Sequence, residues 1–98
     1  MNDFKNVWER ILENSNKIEL TTLRGKKLRY IVNDKIIHFI GISPSINKPL
    51  DQSIDDISMC IEARQNNLGP SGYPGTAQSY KWALLNHEAI WIEEKLIQ

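Results

Sequence analysis

Cysteine is nearly absent: Cys60 is the one thiol in 98 residues. A single thiol closes no internal disulfide, so the fold is expected to hold in a reducing compartment, with the cytoplasm as the default location. Long apolar runs are also missing. No stretch approaches the roughly 18 residues of a membrane-spanning helix, and the first sixteen residues lack the apolar block of a signal peptide. No membrane association is expected. Nitrogen ligands are as scarce as sulfur. His38 and His87 stand far from each other and from Cys60, with no Cys-x-x-Cys or His-x-x-x-His pair, so neither a metal nor any other cofactor is expected.

Catalytic signatures are lacking too. Gly-x-Ser-x-Gly does not occur, and the presence of serine, histidine and aspartate without placement makes no triad. The stretch Gly69–Gly75 has glycines at phosphate-loop spacing, but no Gly-Lys-Ser or Gly-Lys-Thr follows. It reads as a tight loop packing Tyr73 and two prolines on the core, with a nest of N–H groups ahead of the next helix as the alternative. Asp51, Asp55 and Asp56 gather where a helix should begin, which the helix dipole favours by itself. Glu93-Glu94-Lys95 has the acid and lysine types of a metal-dependent nuclease, but at the chain end. The chain is read as not being an enzyme.

What remains is ordinary globular composition, 41% hydrophobic and 24% charged, enough for one domain spanning residues 1–98. Phe4, Val7, Trp8, Ile11 and Leu12 recur at helical spacing and predict a helix over Asp3–Glu13. Three strands should follow as an antiparallel meander: Lys17–Leu23, Lys27–Val32 and Ile36–Ile42. Turns at Arg24-Gly25-Lys26 and Asn33-Asp34 separate them. The third strand is apolar on both faces apart from His38 and is expected to be covered on both.

Ser43–Pro49 reads as a connector held irregular by two prolines. Ser53-Ile54-Asp55-Asp56 resembles a capping box, starting a helix that carries Ile57, Cys60, Ile61 and Arg64 on one side and stops at Asn66, Asn67 and Gly69. A last helix spans about Thr76–Asn86. Over Ala89–Glu94, Ile90, Trp91 and Ile92 favour a fourth strand by propensity, with helix as the alternative. The fold class is therefore α+β, with Trp8, Ile11, Leu28, Tyr30, Ile57, Ile61 and Leu84 joining helices to one sheet face.

The net charge of zero hides a split. Residues Lys17–Lys48 hold seven basic and two acidic side chains, 7 − 2 = +5, whereas Pro49–Gln98 hold three and seven, 3 − 7 = −4. Arg24, Lys26, Lys27 and Arg29 lie within six residues at one turn, with Lys17 and Lys35 nearby. A basic two-stranded ribbon suits nucleic-acid phosphates, so these six are the primary binding candidates. Such cations also keep a hairpin solvated and discourage edge pairing. Tyr73, Trp82 and Trp91 are secondary binding candidates, the two tryptophans as anchors of a homodimer or other protein interface.

Gly69-Pro70-Ser71, Ser79-Tyr80 and Trp82-Ala83-Leu84-Leu85 resemble a tail that recurs in small uncharacterised bacterial proteins. The lone, charge-split domain, rich in Lys, Ile and Asn, is similar to small proteins of phages and mobile elements, including inhibitors of CRISPR nucleases. The basic hairpin, rather than this resemblance, carries the leading expectation: a non-enzymatic binder of nucleic acid or of a nucleic-acid-handling enzyme, with the acidic half aiding solubility, meeting a basic partner surface or imitating phosphates.

Overall fold

Asp3 opens the first helix. In the computed structural model, which describes residues 3–41 and 50–92, its carboxylate accepts the Asn6 backbone N–H at 3.0 Å, and α1 runs over Phe4–Glu13. Val7 and Ile11 are fully buried, Phe4 and Trp8 pack at the margin of the core, and Leu12 stays exposed.

Four antiparallel strands follow, each beside the next: β1 (Leu20–Thr21), β2 (Lys27–Asn33), β3 (Ile36–Gly41) and β4 (Leu50–Ser53). The alternation seen in the sequence sets the faces. Leu28 and Tyr30 of β2, with Ile37 and Phe39 of β3, are buried on one side, while Lys27, Arg29 and Ile31 point to the other. The β2–β3 turn sits one residue later than expected. Asp34 and Lys35 both have positive φ, 51° and 64°, the backbone of a two-residue type I′ turn, with Asn33 opposite Ile36.

β1 is two residues long rather than seven, and the reason lies just before it. The Asn16 N–H donates to the Tyr30 carbonyl at 2.8 Å, and the Ser15 hydroxyl accepts the Val32 N–H at 2.8 Å. The turn after α1 thus takes the hydrogen bonds along β2 that a longer first strand would have made.

The fourth strand lies at Leu50–Ser53, not near the C-terminus. Its register puts Asp51 opposite His38 and Gln52 opposite Ile37, so the buried Gln52 faces the core, where its amide donates to the Thr76 hydroxyl at 3.1 Å. Residues Ala89–Trp91 instead form a turn, with Ile90 and Trp91 N–H groups both donating to the His87 carbonyl at 3.0 Å. Two arginines hold this segment. Arg10 donates to the Ile90 carbonyl at 3.1 Å, and Arg64 lies 4.9 Å over the Trp91 ring. The remainder of that strand reading, Glu93–Glu94, and the Ser43–Pro49 connector lie outside the described residues.

The expected second helix is divided into α2 (Ile54–Ser58) and α3 (Ile61–Gln65). A continuous helix would give the Asp56 carbonyl to the Cys60 N–H. Here the Cys60 thiol takes that carbonyl at 3.3 Å, and its N–H turns to Ile57 at 2.9 Å. A 3₁₀ turn at Pro70–Gly72 and a last helix, α4 (Gln78–Leu85), complete the described fold. α4 starts later than the expected Thr76 because Ala77, its cap, adopts the left-handed conformation at φ 52°.

Ile57, Leu84, Leu85 and Ile90 are fully buried with Ile11, Leu28 and Tyr30, while Trp8 and Ile61 pack partly buried against them. Phe39 meets Tyr80 edge to face at 5.6 Å. The helices thus cover one face of the sheet. On the other, Ile31 is 36% and Ile40 40% exposed, so the expectation of a strand covered on both sides does not hold among the described residues.

The capping box forms as read. Ser53 Oγ accepts the Asp56 N–H at 3.2 Å, and the Asp56 carboxylate accepts the Ser53 N–H at 2.8 Å. That backbone donor holds the Asp56 carboxyl below the usual carboxylate range, against the opposing effect of partial burial. Replacing Ser53 by alanine is expected to lower stability by about 1 kcal/mol. Asp56→Asn should cost most at neutral pH. Its deficit should shrink as the pH falls below about 4, where the unfolded chain begins to take up the proton, and close once the folded carboxylate is protonated as well. Urea unfolding at several pH values checks both; a deficit that grows on acidification would contradict the assignment.

Candidate functional site

The β1–β2 hairpin is built around Thr22, which is 5% exposed. Its N–H donates to the Lys26 carbonyl at 2.8 Å, its hydroxyl accepts the Lys26 N–H at 3.0 Å, and its carbonyl accepts the Gly25 N–H at 2.9 Å. Gly25, at φ 87°, closes the loop in a conformation that strains other residues. The tip is thereby fixed, with Leu23, Arg24 and Lys26 pointing outward.

All six basic candidates are exposed, but the fold does not bring all six together. Arg24, Lys26, Lys27 and Arg29 share the hairpin end. Lys35 sits in the β2–β3 turn at the far end of β2, about 20 Å away by strand rise, so it leaves the cluster. Lys17 precedes β1 beside the middle of β2, next to the Asn16–Tyr30 hydrogen bond. The four clustered cations divide by face. Lys27 and Arg29 stand on the outward sheet face, where Lys27 meets Glu19 at 3.6 Å, both exposed, a pair of small energetic weight. Arg24 and Lys26 border a cleft of about 410 Å³ between the hairpin and the start of α4. Across it stand Pro70, Ser71, Gln78, Ser79 and Tyr80. Among the described residues, no carboxylate lines it.

Charge separation is sharper at the surface than in the sequence. In residues 50–92 both basic side chains, Arg64 and Lys81, are buried, at 7% and 1% exposure, whereas Asp51, Asp55, Glu62 and Glu88 are exposed. Arg64 donates to the Leu85 carbonyl at 3.1 Å and to Asn67 Oδ1 at 2.8 Å. Lys81 Nζ donates to the Pro74 carbonyl at 2.6 Å. Burial pushes the nearby Cys60 thiol up, with Lys81 opposing. Both internal cations therefore serve the fold and leave the second half with an acidic exterior.

The secondary candidates fare differently. Tyr73 is fully enclosed, its phenol accepting from the Asn86 amide at 3.2 Å, and burial raises its pKa. Trp91 is buried beneath Arg64. Both are core residues, which corrects their reading as secondary binding candidates. Trp82 is half-buried and borders a shallow hollow with Glu19, Thr21, His87 and Glu88. The histidines lie apart: His38 bonds Asp51 at 2.8 Å on the outer sheet face, and His87 accepts the Ala89 N–H at 3.0 Å.

Sequence reasoning found the cations but missed the opposite wall, Pro70, Ser71, Ser79 and Tyr80. Leu23, 66% exposed immediately before Arg24, was the one local sign that the tip carries an apolar element. No helix among the described residues is long and apolar enough to cross a membrane. No family model, curated protein or solved structure matches the chain.

Proposed function

We propose that the protein is a non-catalytic binder of nucleic acid that docks through its β1–β2 hairpin. The observation that carries this reading is the fixed tip, at which Arg24, Lys26, Lys27 and Arg29 are all exposed, Lys27 meeting Glu19 at 3.6 Å. Guanidinium and ammonium groups carried on a rigid turn match a row of phosphates with little loss of backbone freedom on binding. The acidic exterior of the second half orients the molecule, turning its positive end toward a polyanion.

Four phosphate contacts predict about a hundred-fold loss of affinity between about 50 and 200 mM salt, from a slope near −0.9 per contact. Reversing Arg24 and Lys26 to glutamate should weaken binding at least ten-fold at the lower salt and flatten the slope by about two contacts. Fluorescence anisotropy with labelled single-stranded and duplex DNA measures both. Salt-independent binding, or affinity untouched by the double reversal, would dispose of the reading.

A second reading follows from the exposed Asp51, Asp55, Glu62 and Glu88: this exterior would meet the basic groove of a nucleic-acid-handling enzyme, as an inhibitor does. It predicts that nucleic acid and this protein compete for such an enzyme, and that Asp55→Lys with Glu62→Lys abolishes the competition.

A further inference from the structure

The cleft beside the hairpin gathers polar side chains that face solvent from two separate parts of the chain. Inside the fold, every buried side-chain nitrogen and oxygen among the described residues has a partner. Around the cleft, Thr22 and Gln78 are likewise committed, Thr22 to the Lys26 N–H and Gln78 to the Tyr73 carbonyl at 2.7 Å. The side chains of Arg24, Lys26, Ser71, Ser79 and Tyr80 make no hydrogen bond or ion pair among the described residues. Two cations, two hydroxyls and a phenol thus border one space of about 410 Å³, with no acid among the described residues that line it, within the range of small-ligand sites.

The chemistry of the walls defines the occupant. Two cations without a carboxylate call for an anion, and hydroxyl donors beside guanidinium and ammonium suit phosphate oxygens. Leu23, Pro70 and the Tyr80 ring add apolar surface next to those donors. Tyr80 is held by its edge-to-face contact with Phe39, so its position is set before any ligand arrives. A flat ring joined to a phosphate satisfies both halves of this lining; inorganic phosphate satisfies one.

Resting on the nucleic-acid reading above, we infer that this cleft takes one nucleoside phosphate unit, its phosphate on Arg24 and Lys26 and its base against Leu23 and Tyr80, as an unpaired nucleotide of a single strand presents it. Lys27 and Arg29, on the outward face, hold the neighbouring backbone. Stacking of this kind tolerates any base.

The test compares a thymidylate decamer, an abasic decamer with the same phosphates, a duplex and free thymidine monophosphate, by anisotropy and by amide chemical shifts of the labelled protein. The thymidylate decamer should bind at least ten-fold more tightly than the abasic one. Ser79→Phe, which fills the cleft without changing charge, should erase that preference and leave the salt slope intact. Amides of Ser71, Ser79 and Tyr80 should shift with the thymidylate decamer. Competition by the monophosphate alone identifies a soluble nucleotide as the source of the unit; competition by the decamer only identifies a strand. Equal, salt-dependent affinity for thymidylate and abasic decamers, with shifts confined to the hairpin, would overturn the cleft while leaving hairpin binding standing. No binding of any probe would remove both.

Discussion

Lys81→Ala is expected to destabilise the protein by about 3–5 kcal/mol, by analogy with large-to-small truncation in a packed core. The side chain is 1% exposed, its stem lies in α4, and its ammonium donates to the Pro74 carbonyl at 2.6 Å. It also draws down the Asp56 carboxyl and the Cys60 thiol through its charge. Truncation leaves a void and takes from the Pro74 carbonyl its closest donor, the Cys60 thiol standing farther off at 3.9 Å. Lys81→Met retains most of the volume and removes the donor, so it should lose a smaller amount, about 1–3 kcal/mol. Since a domain of this kind is stable by roughly 5–15 kcal/mol, the alanine variant should unfold at markedly lower urea. Urea titration followed by circular dichroism ranks the three proteins. Equal midpoints for wild type and the alanine variant would mean that Lys81 is not buried in solution.

The second large effect concerns Tyr30. Its ring is fully buried, and its phenol donates to the Ile11 carbonyl at 2.7 Å. That carbonyl lies in the last turn of α1, where helix acceptors lack intrahelical partners, so one side chain both fills the core and fastens the helix to the sheet. Tyr30→Ala should cost about 3–5 kcal/mol, and Tyr30→Phe about 1–3 kcal/mol through the unpartnered carbonyl. Burial also raises the phenol pKa strongly, so the folded state keeps a proton that the unfolded chain releases near pH 10. Wild-type stability should therefore fall as the pH rises above about 10. The Tyr30→Phe variant should fall less steeply, retaining the part owed to Tyr73. Melting curves across the alkaline range test this, and identical slopes would contradict it.

The elements that could be read from the sequence were those whose local pattern agrees with their surroundings. The α1 stripe, the alternation through Lys27–Val32 and the Ser53–Asp56 box each specify their structure within a few residues. The errors arose where distant groups decide. Leu50–Ser53 lacks a strand composition, and Gln52 earns its buried place through Thr76. Ile90–Ile92 has strand propensity, yet Arg10 and Arg64 hold Ile90 and Trp91 in a turn against the core. Lys81 is indistinguishable in sequence from a solvated lysine. The cations of the hairpin showed themselves by spacing, whereas the facing wall comes from residues some fifty positions later, and no local pattern joins the two.

The hydrogen bonds from Ser15 and Asn16 to β2 have an outcome for how copies of the molecule meet. Past Leu28, the flank of β2 beyond the short first strand would otherwise be a bare ladder ready to recruit an extended peptide. With the Val32 N–H and the Tyr30 carbonyl already engaged, that flank gives a foreign strand little to zip onto. Crowded molecules are thereby kept from polymerising along this side, and the hairpin can stay strongly charged and outstretched without becoming the seed of a fibre.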